Sequence, residues 1–128
     1  MSTIRVNTLQ DVSGSNQSLV SDLSQGRTKA WVNFNGTGTI AIRDSYNVSS
    51  LTDHASGEHS INFAVALPSA NYSVVGSCGR GAGGAINSTF VGPAVANPTT
   101  TVCRIATLTA SSGAGTDMEY VCAAFFGD

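Results

Sequence analysis

The chain is poor in charged side chains. Asp, Glu, Lys and Arg together make up 11% of its 128 residues, less than half of the roughly 25% that soluble domains commonly carry. The chain has six basic and eight acidic residues, its formal net charge is -2, and no basic run occurs. Nucleic-acid binding through phosphate contacts and attraction to an anionic membrane surface are therefore not expected.

Long hydrophobic runs are also missing. The longest uninterrupted apolar stretch covers residues 121–126, far short of the roughly 20 residues that cross a bilayer. The first seven residues lack the apolar segment of a secretory signal. We therefore expect no membrane insertion, and synthesis in a cytoplasm.

No set of catalytic residues is recognisable. The Gly-x-Ser-x-Gly element of serine hydrolases does not occur. Residues 79–84 match G-x-G-x-x-G, but residues 85–91 have an extended pattern where a dinucleotide site needs a helix. This stretch is interpreted as a flexible glycine loop, and we expect neither enzymatic activity nor a cofactor.

One cluster contains side chains of the metal-ligand type: Asp53, His54, Glu58 and His59. Two imidazoles and two carboxylates can hold a divalent ion. Solvated charge is, however, ordinary in a polar hairpin loop, which residues 52–59 are predicted to form. The favoured interpretation is a solvated loop without metal.

Short polar residues and glycine replace the missing charge. Ser (17), Thr (13), Asn (9) and Gly (14) suit turns, and Thr also suits pleated strands. Short runs of period two follow one another without helical crossovers, and residues 30–34 and 39–43 form a predicted hairpin. The pattern predicts an all-β fold: a small antiparallel sandwich or barrel of about eight strands, with an N-terminal arm and one short helix.

The N-terminal part has a different pattern. We predict an attachment arm over residues 1–28, with a short helix over residues 16–25 that Ser15 or Asn16 could cap, and a β-sandwich domain over residues 29–128. Ile4, Val6 and Leu9 cannot reach the β core across the Gly14 break without a helix in between, so residues up to Gln25 should contact a neighbouring subunit or a larger assembly. The predicted assembly residues of the arm are Ile4, Val6, Leu9, Leu19 and Leu23.

Four aromatic residues are candidates for core, subunit interface or sugar stacking: Trp31, Phe34, Phe125 and Phe126. Aromatics on alternating strands are most often core or interface. Phe125 and Phe126 point to opposite faces of one strand, and a monomeric sandwich covers one of them. The second face therefore favours oligomerisation.

The three cysteines are candidates for disulfides. A symmetric turn between the last two strands would set Cys103 opposite Cys122, at a separation that a disulfide accepts. A bulge in that turn would place the two on opposite faces. Cys78 is then the odd thiol, buried or paired with another chain, and three reduced cysteines are the equally weighted alternative.

Seven stretches of the sequence carry a resemblance to a known family: residues 2–11, 29–38, 40–43, 46–53, 61–63, 67–72 and 123–128. They resemble the small tail-fibre-like virion structural proteins of tailed bacteriophages of the cyanophage and marine-phage type. The resemblance implies a non-enzymatic virion component, a homotrimer attached to tail or baseplate, with a host surface glycan as a further candidate partner. A capsid decoration protein is the alternative within the virion, and a free carbohydrate-binding β-sandwich module is the alternative of another class.

Overall fold

Ten strands and one helix make up the secondary structure of the described residues. The computed structural model describes residues 1–10, 12–14, 17–81, 88–94 and 96–127. In chain order the elements are β1 (Thr8–Gln10), β2 (Gln17–Leu19), α1 (Val20–Gly26), β3 (Thr28–Asn35), β4 (Ala41–Tyr46), β5 (Val48–Ala55), β6 (Glu58–Phe63), β7 (Ser73–Gly79), β8 (Ser88–Val91), β9 (Val102–Thr109) and β10 (Tyr120–Phe126).

Eight of these strands form a sandwich of two antiparallel sheets. Sheet I has the order β4-β3-β10-β7, and sheet II has the order β5-β6-β9-β8. The predicted all-β antiparallel architecture is confirmed, as a sandwich rather than a closed barrel among the described strands. The predicted hairpin is β3 paired with β4.

The core lies between the sheets and follows from the alternation within each strand. Residues of β3 and β10 that point inward are buried, with Phe34 and Phe125 fully inaccessible. Phe63 and Tyr72 meet Phe125 edge-to-face, with ring centroids 4.9 and 5.8 Å from it. This alternation leaves the intervening residues of β3 and β10 on the outer face of sheet I.

Asn47 makes the corner at which the chain passes from sheet I to sheet II. It adopts a left-handed backbone conformation (φ 55°) between β4 and β5. Its side-chain amide donates to the carbonyls of Lys29 and Val65, and its carbonyl accepts from the Val65 N–H. Tyr46 therefore ends one strand and Val48 begins the next.

The predicted polar loop over residues 52–59 is wrong. β5 continues to Ala55 and β6 starts at Glu58, so that a tight turn at Ser56 and Gly57 joins them. The turn is held from outside the hairpin: the Gly57 N–H donates to the Asp117 carboxylate at 2.6 Å. The strand residues of this segment are polar, so its composition resembles that of a loop. The residue that holds the turn, Asp117, lies sixty residues away in the sequence.

The predicted opposition of Cys103 and Cys122 in one hairpin is wrong as well. β9 belongs to sheet II and pairs with β6, whereas β10 belongs to sheet I and pairs with β3 and β7. The chain crosses between the sheets after Thr109, because each strand finds its apolar partner face in a different layer. Cys103 lies opposite Ile61, and all three cysteines are free thiols.

The N-terminal arm lies outside both sheets. β1 and β2 form a separate two-stranded sheet, and α1 has no buried residue. The predicted helix over residues 16–25 starts late, because residues 17–19 pair with β1 instead. The predicted caps, residues 15 and 16, lie outside the described residues; Leu19 holds the N-cap position without a side-chain cap.

Candidate binding surface

The outer face of sheet I carries a row of largely apolar side chains across all four strands. Trp31 on β3 lies opposite Tyr46 on β4 and Ala124 on β10, and Ala124 lies opposite Val75 on β7. Tyr46 and Val75 are 57% and 55% exposed. Directly opposed side chains on one sheet face are close neighbours, so the row forms an exposed, largely apolar band.

A second, more polar row lies beside the first. Cys122 on β10 is the register partner of both Asn33 on β3 and Ser77 on β7, and Asn33 is in turn the partner of Asp44 on β4. The two rows together therefore place polar groups next to an apolar band.

A groove runs along β10 because its outward side chains are small. Cys122 and Ala124 form the floor between taller neighbours on β3 and β7. The space measures about 500 Å³. We call it the outer groove; its side-chain lining consists of Trp31, Asn33, Val75, Ser77, Cys122 and Ala124.

The rim of the outer groove carries charge. The Arg43 guanidinium stacks 4.4 Å from the centroid of the Tyr120 ring and donates to the Asn33 side-chain carbonyl at 3.4 Å. The Asp44 carboxylate accepts the N–H of Ser45 and forms no ion pair within the described part of the chain. Asp44 therefore offers an acidic group that a basic residue of a ligand or partner could use.

The outer face of sheet II has the opposite character. The Asn62 amide donates to the hydroxyls of Ser50 and Thr52, and His54 and Ser60 are hydrogen-bonded at 2.8 Å. Hydrogen bonds among neighbouring side chains leave this face hydrated and stable without a partner. The exposed apolar side chains that a partner could bury therefore lie on the outer face of sheet I and on the arm.

The arm is the second uncovered apolar surface. Ile4 is 88% exposed, and Val6, Leu9, Leu19 and Leu23 are each about half exposed or nearly so. None of these residues contributes to the core between the sheets. The arm residues singled out by the sequence thus lie outside the sandwich, and the role predicted for them stays a prediction.

The four candidate aromatics separate into two groups. Phe34 and Phe125 are fully buried in the core, which excludes them as sugar-stacking surfaces. Trp31 is partly exposed on the outer groove, and Phe126 is partly exposed beside Ser73 and Asn71. Phe125 and Phe126 do point to opposite faces of β10. Tyr46 and Val75 were missed in the sequence because the signal they give, a shared register, appears only once the strands pair.

The metal-ligand-type cluster does not assemble. His54 points to the outer face of sheet II, where it bonds Ser60, and Glu58 bonds Arg104 at 2.6 Å. His59 is fully buried against Phe34, with ring centroids 5.3 Å apart. No group of three potential ligands occurs in the part of the chain that the structure describes.

The thiols and phenols of the core are held in their neutral forms. Burial raises the pKa of Cys103 and of Cys78, and burial raises the pKa of Tyr72 far above its ordinary value. The Tyr72 hydroxyl donates to the carbonyls of Thr99 and Val102. A thiol held in its protonated form is a poor nucleophile, so Cys103 and Cys78 have the properties of packing residues.

The glycine-rich stretch is described only at its start. Gly79 ends β7, and Arg80 is exposed beyond it. Residues 82–87, where the rest of the motif falls, lie outside the described residues. The interpretation of this stretch as a flexible loop stays a prediction.

Comparisons with protein-family models, with curated proteins and with solved structures find no match for the chain. Within the described residues, no helix is long and apolar enough to cross a membrane.

Proposed function

We propose that the chain is a non-enzymatic structural protein of a bacteriophage virion, a tail fibre attached to tail or baseplate through its N-terminal arm. The β-sandwich is then a homotrimeric domain displayed toward the host. The observation that carries this proposal is the uncovered arm: its aliphatic side chains are exposed, and its helix buries nothing. The sequence resemblance supplies the virion context.

An arm of this kind is suited to assembly. Burying one exposed Leu, Ile or Val side chain stabilises a contact by about 1.5–3 kcal/mol, and the arm offers several on one short segment. Because the two sheets close their core without it, the arm can be held by a partner while the sandwich keeps its fold. Residues 1–28 would then attach the subunit, and residues 29–128 would be displayed.

The capsid decoration alternative uses the same two parts. An apolar arm can dock on a capsid as well as on a tail, and the hydrated outer face of sheet II can face solvent in either place. Position on the particle is what separates the two.

A free carbohydrate-binding module is a second candidate of another class. The observation that favours it is the pair of Trp31 and Tyr46 on the outer face, with Asn33 and Asp44 in the adjacent row. Aromatic faces stack on apolar faces of sugar rings, and amides and carboxylates bond their hydroxyls. This candidate requires a stable monomer and loss of glycan binding in Trp31→Ala, with a surface change such as Thr52→Ala as control.

Intact particles test the virion proposal. Particles purified on a density gradient should contain the chain in a copy number divisible by three, and a cryo-EM map should place the sandwich on the tail. Density on the capsid surface would support decoration instead. Recovery of the chain only in the soluble fraction of the lysate would contradict both virion assignments.

A further inference from the structure

The two uncovered apolar surfaces of this chain have complementary shapes. The arm presents two protruding side chains, Ile4 and Val6, which we call the knobs. They lie two residues apart on an unpaired segment, and both point to the same side when that segment is extended. The outer groove presents a recess of the same spacing, because Cys122 and Ala124 are also two residues apart on one face of β10. Strand residues two apart are separated by roughly 6.5–7 Å, so two knobs match two floor positions.

The small side chains of the groove floor leave room for the larger side chains of the arm. The groove floor carries a thiol and a methyl group, whereas Trp31 and Val75 form higher walls on either side. Branched side chains of the size of Ile and Val can enter such a recess and exclude water from both surfaces. Each surface then removes the other's exposed apolar area from solvent.

Charge favours the same contact. Arg5 lies between the two knobs, and residues 1–10 contain no carboxylate. The groove rim holds Arg43, whose guanidinium is engaged by Tyr120 and Asn33, and Asp44, which makes no ion pair within the described residues. Arg5 projects from the side of the extended arm away from the groove floor, and its long side chain can bend over the edge of the arm toward Asp44, which gives the contact a preferred placement.

We propose that the arm of one subunit occupies the outer groove of a neighbouring copy of the chain. The arm does not cover its own groove, because Ile4 is almost fully exposed. An arm-to-groove contact is heterologous: each copy uses one surface to bind the next copy and the other surface to be bound. Three such contacts close a ring, so this inference rests on the proposed homotrimer and names the surfaces that build it.

Native Cys122 allows a direct test by cross-linking. In the full chain, Val6→Cys and Ile4→Cys each place a thiol on a knob above the groove floor. Mild oxidation with diamide, which accepts the two electrons released when the disulfide forms, should give covalent dimers and trimers on a non-reducing gel. Cys122→Ser should abolish these species, and Arg5→Cys, on the other side of the arm, should give far less. Whichever knob cross-links better reports the direction of the arm in the groove.

Filling the groove gives an independent readout. Ala124→Trp adds a large side chain on the outer face, outside the core, and should convert the trimer to a monomer without loss of the fold. Thr52→Trp makes the matched change on the outer face of sheet II and should leave the trimer intact. Circular dichroism and the thermal unfolding midpoint check the fold of both variants.

The outcomes separate this inference from the proposed function. A trimer by light scattering in which neither knob cysteine cross-links to Cys122 would overturn the arm-in-groove contact and leave the trimer standing. A cross-link formed only within one chain would overturn it too, because the arm would then occupy its own groove. A monomer at all concentrations would contradict the trimer itself.

Discussion

At the scale of single residues, His59 is the least ordinary member of the core. It is fully buried between the sheets, and neither ring nitrogen has a hydrogen-bond partner among the described residues. Burial lowers the pKa of His59 below 6.5; the nearby Asp53 and Asp117 carboxylates and the Gly36 backbone oppose this shift, and His54 adds slightly to it. The folded protein therefore holds the neutral imidazole.

This burial predicts acid sensitivity. The folded-state pKa lies below the unfolded-state value, so the stability is complete above pH 6.5 and is lost as the pH falls toward the folded-state pKa. One proton taken up on unfolding lowers the folding equilibrium constant by at most about tenfold per pH unit. Urea unfolding of the wild type between pH 7.5 and 5 should show this loss.

One variant isolates the contribution of His59. His59→Leu removes the titrating group and should flatten the pH dependence between pH 6.5 and 5. If His59→Leu does not fold, NMR titration of the wild-type imidazole gives the same information. A His59 pKa at or above 6.5 would contradict this account.

The glycines with a left-handed backbone allow a second matched comparison. Gly57 has φ +75°, and a Cβ there would overlap the Thr107 carbonyl oxygen and the Thr116 amide nitrogen. Gly38 has φ +61° with open space around it. Gly38→Ala should destabilise the fold by about 1–2 kcal/mol through its backbone conformation alone.

Gly57→Ala should cost more than Gly38→Ala, on the order of 3 kcal/mol or above, because the hairpin must also shift away from β9. Chemical denaturation of the two variants in parallel measures the difference. Equal destabilisation would mean that the turn at Ser56 and Gly57 is not packed against the β9–β10 connection as described.

At the scale of elements, the arm and the sandwich should be separable. Deleting residues 1–26 removes β1, β2 and α1, none of which buries a residue in the core. The unfolding free energy of the truncated chain should stay within about 0.5 kcal/mol of that of a monomeric full chain such as Ala124→Trp. A truncated chain that fails to fold would place the arm in the core and contradict the division at residues 28 and 29.

The elements also show where sequence patterns suffice. Strands β3, β6, β9 and β10 alternate strongly because one face packs in the core, and this alternation predicts them. Local patterns do not predict the features that depend on long-range contacts. Asn47, for example, turns the chain through hydrogen bonds to Lys29 and Val65. The crossing between β9 and β10 similarly depends on which sheet each strand joins, a choice that a local pattern does not contain.

The same limit applies to the candidate binding surface. Part of the arm is visible in the sequence, since Gly14 and the polar residues around it separate Ile4, Val6 and Leu9 from the β domain. The outer groove is not, because Trp31, Ala124 and Val75 come from three strands far apart in the chain. Only the register of sheet I brings them together.

At the scale of the whole molecule, the distribution of apolar surface indicates assembly. A low fraction of charged residues leaves few groups to hydrate the outside. One outer face compensates with a hydrogen-bonded network of hydroxyls and amides, while the other face and the arm retain exposed aliphatic and aromatic side chains. Monomers rarely expose large contiguous apolar patches. The proposed arm-to-groove contact would cover the outer groove together with Ile4 and Val6, and would leave the rest of the arm for attachment to the tail.

The most direct test of this account is the mass in solution, measured by size-exclusion chromatography with light scattering. The full chain should elute as a trimer of the 13.0 kDa protomer at micromolar concentration and on dilution, and the chain lacking residues 1–26 should elute as a folded monomer. A full chain that is a monodisperse monomer under the same conditions would contradict the central claim that the arm builds the assembly.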